Sequence, residues 1–123
     1  MKTSICLSLV LAGLSSLALA QDLNPEQQHG KQVFDKWCAP CHGTEVVASE
    51  LLGMGALPLP GTAALGEKYK GDLPAVLEER TDLQAIYIRT VVRNGLFGMP
   101  ISRKTEVSDS DLDAIIAYLT RPR

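Results

Sequence analysis

The chain has 123 residues, of which 46% are hydrophobic and only 5% aromatic, so it can form one small domain with a modest core of its own. Its 12 basic and 14 acidic residues give a formal net charge of −2, which argues against a nucleic-acid partner, because such a partner requires a basic face. The scarcity of aromatic side chains suggests that a large apolar cofactor fills part of the interior.

The first 20 residues have the form of a secretory signal peptide. Lys2 supplies the positive start, residues 5–19 are almost entirely apolar or small, and Ala18-Leu19-Ala20 has the small-x-small form that signal peptidase recognises. The alternative is a membrane anchor, but the apolar stretch is shorter than the roughly 20 residues that a span needs, and no basic stop follows it. We therefore expect a mature domain of residues 21–123 without a membrane span, in the bacterial periplasm.

Helical patterns begin shortly after this segment. Asn24 with Pro25 and Gln27 predicts a capped helix that runs to about Trp37. Residues 43–66, which are rich in glycine and proline, predict a long loop.

Two further helices are expected in the second half. A short helix over residues 74–80 is followed by a capping box at Thr81 and Gln84, with a helix that ends at Asn94-Gly95. After an irregular stretch over residues 96–107, a last helix opens with Ser108 and Asp111 and carries an apolar stripe of Leu112, Ile115, Ile116 and Leu119. Alternating apolar and polar runs are missing from the sequence, so we predict an all-α domain without a sheet.

The segment Cys38-Ala39-Pro40-Cys41-His42 has the spacing of c-type haem attachment. The sulfurs of Cys38 and Cys41 can form thioethers to two vinyl groups of one haem, and His42 then falls under the iron as the proximal ligand. The third cysteine, Cys6, is expected to leave with the signal peptide, so the motif uses both cysteines of the mature chain.

Two other interpretations of the cysteine pair are open. Trp37-Cys38-Ala39-Pro40-Cys41 is also typical of thioredoxin-like oxidoreductases, but there the motif follows a β-strand, and here it follows a predicted helix. A zinc site would need two more ligands, and His29 is the only other histidine.

The sixth position on the iron calls for a soft or imidazole donor. Met99, in Gly98-Met99-Pro100, is the preferred candidate, since Met/His ligation raises the reduction potential and suits electron transfer. Met54 and His29 are the alternatives. The Nδ1–H group of the proximal histidine also needs an acceptor, and we expect the backbone carbonyl of Pro58 or Pro60 to serve.

Together these features resemble the class I cytochromes c. In that family the first and last helices cross closely through a glycine and an aromatic residue on one helix and an aliphatic and an aromatic residue on the other. Gly30 and Phe34 match the first pair, and Ile115 and Tyr118 match the second. The resemblance implies a small all-α fold whose N- and C-terminal helices cross around one covalent haem c. It also implies an electron carrier rather than an enzyme.

The chain also has a narrower likeness, to the small cytochrome subunits of flavocytochrome alkylphenol dehydrogenases. These enzymes are of the p-cresol methylhydroxylase and eugenol hydroxylase type, and the likeness lies in residues 60–69, 80–83, 92–95 and Met99-Pro100. This likeness implies an FAD-containing dehydrogenase subunit as partner, which oxidises a 4-alkylphenol and passes electrons singly to the haem, and a downstream acceptor. The alternative is a free soluble cytochrome c that shuttles electrons between respiratory complexes.

The apolar residues Leu96, Phe97, Met99 and Ile101 allow two roles. They can pack against the haem, or they can form an apolar docking patch for a partner. A haem enzyme or gas sensor would need an open sixth position, and Met99 argues against that class.

Overall fold

Helices make up most of the regular structure in the computed structural model, which describes residues 22–44, 46–48 and 56–123. This part of the chain holds five α-helices and one two-stranded antiparallel ribbon. In chain order the elements are α1 (Pro25–Trp37), α2 (Ala39–His42), β1 (Val46–Ala48), β2 (Ala56–Pro58), α3 (Pro60–Tyr69), α4 (Ala85–Asn94) and α5 (Asp109–Leu119). The expected signal peptide and Met54 lie outside the described residues.

The capping box predicted for the first helix forms, and the last helix, predicted to open with Ser108 and Asp111, has one as well. Asn24 Oδ1 accepts a hydrogen bond from the Gln27 amide at 2.9 Å, and Gln27 Oε1 accepts one from the Asn24 amide at 3.1 Å. Ser108 Oγ likewise accepts from the Asp111 amide at 3.0 Å. Each box satisfies amide groups that a helix start would otherwise leave without a partner.

Helices α1 and α5 pack against each other more extensively than any other pair of elements. A Cβ atom placed on Gly30 would lie 1.9 Å from the carbonyl oxygen of Ala114, so only glycine permits this approach. The rings of Phe34 and Tyr118 meet beside it with centroids 5.9 Å apart. The predicted crossing of the two terminal helices is therefore confirmed, and with it the all-α fold class.

The buried core gathers around this crossing. Its largest fully buried side chains are Phe34, Val107, Leu112 and Ile115. Helix α4 adds Ile88 and Val92, which lie one turn apart on the same helix face.

The prediction of no sheet is wrong. Val46 pairs with Pro58 and Ala48 with Ala56 in a ribbon of three residues per strand. Strands this short cannot display enough alternation to be recognised in the sequence. The predicted loop over 43–66 is also too long, because Pro60 begins α3, where its missing amide hydrogen costs no hydrogen bond.

The capping box predicted at Thr81 and Gln84 does not form. Helix α4 begins at Ala85, and Gln84 precedes it without a side-chain cap. Asp82, which precedes the helix, instead accepts two hydrogen bonds of 2.8 and 2.5 Å from the Arg80 guanidinium. The short helix expected over 74–80 is a single 3₁₀ turn at Leu77–Glu79.

None of the described helices combines the length and the apolar character needed to cross a bilayer.

Candidate haem-binding site

The residues of the attachment motif lie on one helical turn where α1 ends. The amide of Cys38 still donates to the carbonyl of Phe34 at 2.8 Å, and the amide of His42 donates to the carbonyl of Cys38 at 2.8 Å. Cys38 and Cys41 are three residues apart, so this turn brings their side chains to the same side of the helix. Two thiols on one side of a turn are what attachment to neighbouring vinyl groups requires.

Both thiols are free, and Cys38 is the more buried of the two. Burial, with a smaller effect from the neighbouring Cys41, raises the pKa of Cys38 to about 11. A thioredoxin-like enzyme needs the opposite, a lowered pKa that supplies thiolate for attack. The motif also follows helix α1 rather than a strand. The geometry and the thiol acidity both disfavour the thioredoxin-like interpretation.

The zinc interpretation finds no support either. Across residues 22–44, 46–48 and 56–123, no three side chains of histidine, cysteine, aspartate or glutamate lie close enough to hold a metal ion. Structural zinc sites use four such ligands.

The imidazole of His42 packs under the first turn of α3. Burial lowers the pKa of His42, which keeps the ring neutral and able to act as a ligand. Its Nδ1 atom is buried and has no hydrogen-bond partner among the described residues. The hydrogen bond expected to the carbonyl of Pro58 or Pro60 is therefore not formed in this structure.

Met99 closes a tight turn. Its amide donates to the carbonyl of Leu96 at 2.9 Å, and its carbonyl accepts from the Leu96 amide at 3.2 Å. The side chain is half-buried and packs against the same core cluster as Cys38 and Ala39. This shared core places the turn and the attachment motif on one apolar cluster.

The turn is tied to the helices on either side. The amide of Ser102 donates to the carbonyl of Val92 at 2.8 Å, and Arg93 Nη1 donates to the carbonyl of Ser102 at 2.9 Å. Arg93 Nη2 also binds Asp109 Oδ1 at 2.9 Å, which joins the end of α4 to the start of α5. These bonds hold the segment that carries Met99 at a defined place.

The alternative sixth ligands have other positions. His29 Nε2 lies 2.7 Å from Asp111 Oδ1 at the α1–α5 crossing, so its ring is already engaged. Met54 lies outside the described residues.

The sequence profile of the family described as cytochrome c oxidase, cbb3-type, subunit III, matches residues 25–119. The chain belongs to this cytochrome c family. The match runs from the start of α1 to the end of α5 and so covers all five described helices of the cytochrome c domain. No curated protein and no solved structure matches the chain.

A cytochrome c domain is an electron carrier and holds haem c by covalent bonds, as the sequence predicts. The residues present fit the group: two free thiols on one turn, a buried neutral imidazole and a half-buried thioether are its usual donors. When bound, haem supplies one-electron chemistry, and the chain attaches it, orients it and excludes water.

Two residues that lie beside His42 were not predicted from the sequence. Gly61 and Thr62 contact His42 and its neighbour Gly43 from the first turn of α3. Proline followed by glycine is typical of both a turn and a helix start, so the pair Pro60-Gly61 did not distinguish them.

Proposed function

We propose that this cytochrome c domain works in the periplasm with haem c attached to Cys38 and Cys41 and ligated by His42 and Met99. We further propose that it receives electrons from an FAD-containing subunit that oxidises a 4-alkylphenol. The neutral imidazole and the anchored thioether turn support the ligand set. Met/His ligation favours the reduced iron and therefore suits an acceptor of electrons from a flavin.

The observation that favours a lasting partner is the apolar surface of the turn that carries Met99. Residues 96–101 read Leu-Phe-Gly-Met-Pro-Ile and carry no charge. Phe97 is 98% exposed, Ile101 is 54% exposed and Leu96 is 39% exposed. A continuous exposed apolar run is typical of a binding surface rather than of a solvated loop.

Phe97 also has an unusual backbone. Its φ angle is +51°, a conformation that costs a residue with a side chain about 1–2 kcal/mol. At 98% exposure its ring makes almost no contact with the rest of the protein chain. Strain of this kind accompanies functional positions, and an outward aromatic ring is a common anchor in protein interfaces.

These features favour a bound subunit over a shuttle. Electron-transfer encounters of shuttles are small and transient, below about 1,200 Å² of buried surface. A tight subunit needs an apolar, uncharged centre to its interface, which residues 96–101 offer. The second candidate is a free shuttle between respiratory complexes, and the description of the family as part of a cytochrome c oxidase supports only its respiratory context.

The test is capture of the partner with the haem-loaded mature protein. The tagged cytochrome is incubated at low salt with periplasmic extract of its host, and the retained material is examined for flavin absorption. Addition of p-cresol under anaerobic conditions should then reduce the haem. A retained chain without flavin, or reduction only by generic donors, would refute the subunit and leave the shuttle.

Two matched variants test whether the captured chain binds to the apolar turn of residues 96–101. Phe97→Ser should lower the capture of the flavin-containing chain about tenfold or more. Ile86→Ser is the control, because Ile86 is 69% exposed on α4 but lies outside the 96–101 turn. Equal loss of capture in both variants would contradict the assignment of the surface.

A further inference from the structure

The first turn of α3 approaches His42 more closely than any side chain would allow. A Cβ atom on Gly61 would lie 2.7 Å from Cε1 and 2.8 Å from Nδ1 of His42. It would also lie 2.7 Å from the carbonyl oxygen of Cys41. Cβ atoms essentially never approach other heavy atoms within 3.0 Å, so the backbone of Gly61 rests directly on the imidazole ring.

The neighbouring residue ties the same turn to the attachment motif. Thr62 is 7% exposed, and its Oγ1 donates to the carbonyl of Gly43 at 3.0 Å. Gly43 follows His42 directly and caps α2. The hydroxyl of Thr62 therefore sets the distance between the start of α3 and the end of the motif helix.

The ring itself lacks a polar restraint in the described part of the chain, because Nδ1 of His42 is buried without a hydrogen-bond partner. In many metal sites an acceptor at this nitrogen fixes the plane of the ring. Among the described residues, the backbone of Gly61 is the surface that lies closest to this nitrogen and can restrain the ring by packing.

We propose that Gly61 and Thr62 are positioning residues for the proximal ligand of the haem. Gly61 fixes the plane of the His42 ring by contact, and Thr62 holds α3 in place to make that contact. The proposal rests on ligation of the iron by His42, which is part of the proposed function. It adds that the proximal side is set by close backbone packing and is therefore sensitive to one added methyl group.

The experiment uses the haem-loaded protein and two readouts, the midpoint potential and the paramagnetic proton NMR spectrum of the oxidised form. We expect Gly61→Ala to move the hyperfine-shifted imidazole signals, because those shifts depend on the plane of the ring. We also expect it to lower the midpoint potential, since a displaced α3 admits water that favours the charged ferric haem.

Gly66→Ala is the matched control in the same helix. A Cβ atom there would meet only Ala75 Cβ at 3.7 Å, an ordinary contact, so both readouts should stay at their wild-type values. Identical spectra and potentials for Gly61→Ala and Gly66→Ala would overturn the proposal.

A second pair of variants decides the question if Gly61→Ala does not take up haem. Thr62→Val keeps the shape and removes the hydroxyl, so it should shift both readouts in the same direction as Gly61→Ala. Thr62→Ser keeps the hydroxyl and should restore them. Equal behaviour of the two variants would overturn the role of Thr62. A wild-type spectrum without shifted imidazole signals would instead refute ligation by His42 and thus the proposed function.

Discussion

The sixth ligand of the iron decides whether the domain can only transfer electrons or can also bind small molecules. The turn from Leu96 to Met99 presents a half-buried thioether beside the core that Cys38 joins. If Met99 is the sixth ligand, as proposed, its thioether would close the iron to exogenous ligands and favour the ferrous state.

We expect Met99→Ala to open the sixth position. The reduced variant should then bind carbon monoxide, which the wild type should not, and its midpoint potential should fall, because thioether ligation favours ferrous iron. Visible spectra and a redox titration measure both effects. Met54→Ala is the control. If that variant, rather than Met99→Ala, opened the iron, the ligand would be Met54.

Substitutions at Phe97 test the cost of its backbone conformation separately from the role of its ring in binding. Phe97→Gly should raise the free energy of unfolding by about 1 kcal/mol, because glycine adopts a positive φ without the cost that other residues bear. Phe97→Ala keeps a Cβ atom and should leave that free energy near the wild-type value. Denaturant unfolding of the haem-loaded variants measures the difference. A Phe97→Gly variant no more stable than Phe97→Ala would contradict the cost of the positive φ angle, and a Phe97→Ala variant clearly less stable than the wild type would show that the ring supports the fold.

At the scale of elements, the crossing of α1 and α5 organises the domain, and it depends on one glycine. Gly30→Ala places a methyl group 1.9 Å from a backbone oxygen of the opposite helix, which cannot move aside as a flexible side chain could. We expect it to lower the free energy of unfolding by about 2 kcal/mol, in the range of overpacked cores. Gly66→Ala, which meets no such contact, should be no less stable than the wild type. Equal losses in denaturant titrations of the two variants would contradict the close crossing.

The carboxylate of Asp109, at the start of α5, joins this helix to Arg93 of α4 and to Lys104 of the 96–107 segment. A hydrogen bond from Lys104 is the main cause, and one from Arg93 the second, of a pKa of Asp109 below its usual value. A carboxylate whose pKa is lower in the folded than in the unfolded state stabilises the native state at pH values above the ordinary carboxyl pKa of about 3.9. This stabilisation is lost as the pH falls through the lower pKa of the folded state.

We therefore expect Asp109→Asn to be less stable than the wild type at neutral pH, with the difference closing below about pH 4. Unfolding titrations at both pH values measure it. Asp72→Asn is the control, because Asp72 forms no ion pair with the described residues. A difference for Asp109→Asn that persists in acid would show that the effect does not arise from charge.

At the scale of the whole molecule, charge has little part in the proposed docking. The formal net charge is −2, and residues 96–101 carry no charge. We expect the rate of haem reduction by the partner to change less than about threefold between low and physiological salt, against about tenfold or more for steered association. Stopped-flow measurements of haem reduction test this. A steep fall with salt would favour a charged docking surface and the shuttle.

Much of the site follows from local sequence. The spacing of Cys38, Cys41 and His42 places three groups on one turn, and the caps at Asn24 and Ser108 define the starts of the two terminal helices. Such signals need only neighbouring residues, so they can be recognised without a fold. The start of α4 was missed because the helix begins at Ala85 after Gln84, which forms no side-chain cap and so leaves no local signal in the sequence.

The sequence by itself therefore determined the cofactor chemistry and the helical class, because each depends on residue types at short, regular spacing. The residue pairs of the terminal crossing came from the resemblance to the class I cytochromes c. Only the tertiary structure decided that Gly61 lies against the His42 ring, that Nδ1 has no partner among the described residues, and that Phe97 points into solvent. These features depend on contacts between segments, or on a backbone angle that a turn adopts once its ends are anchored. The pattern of residues along the chain contains no direct signal for either.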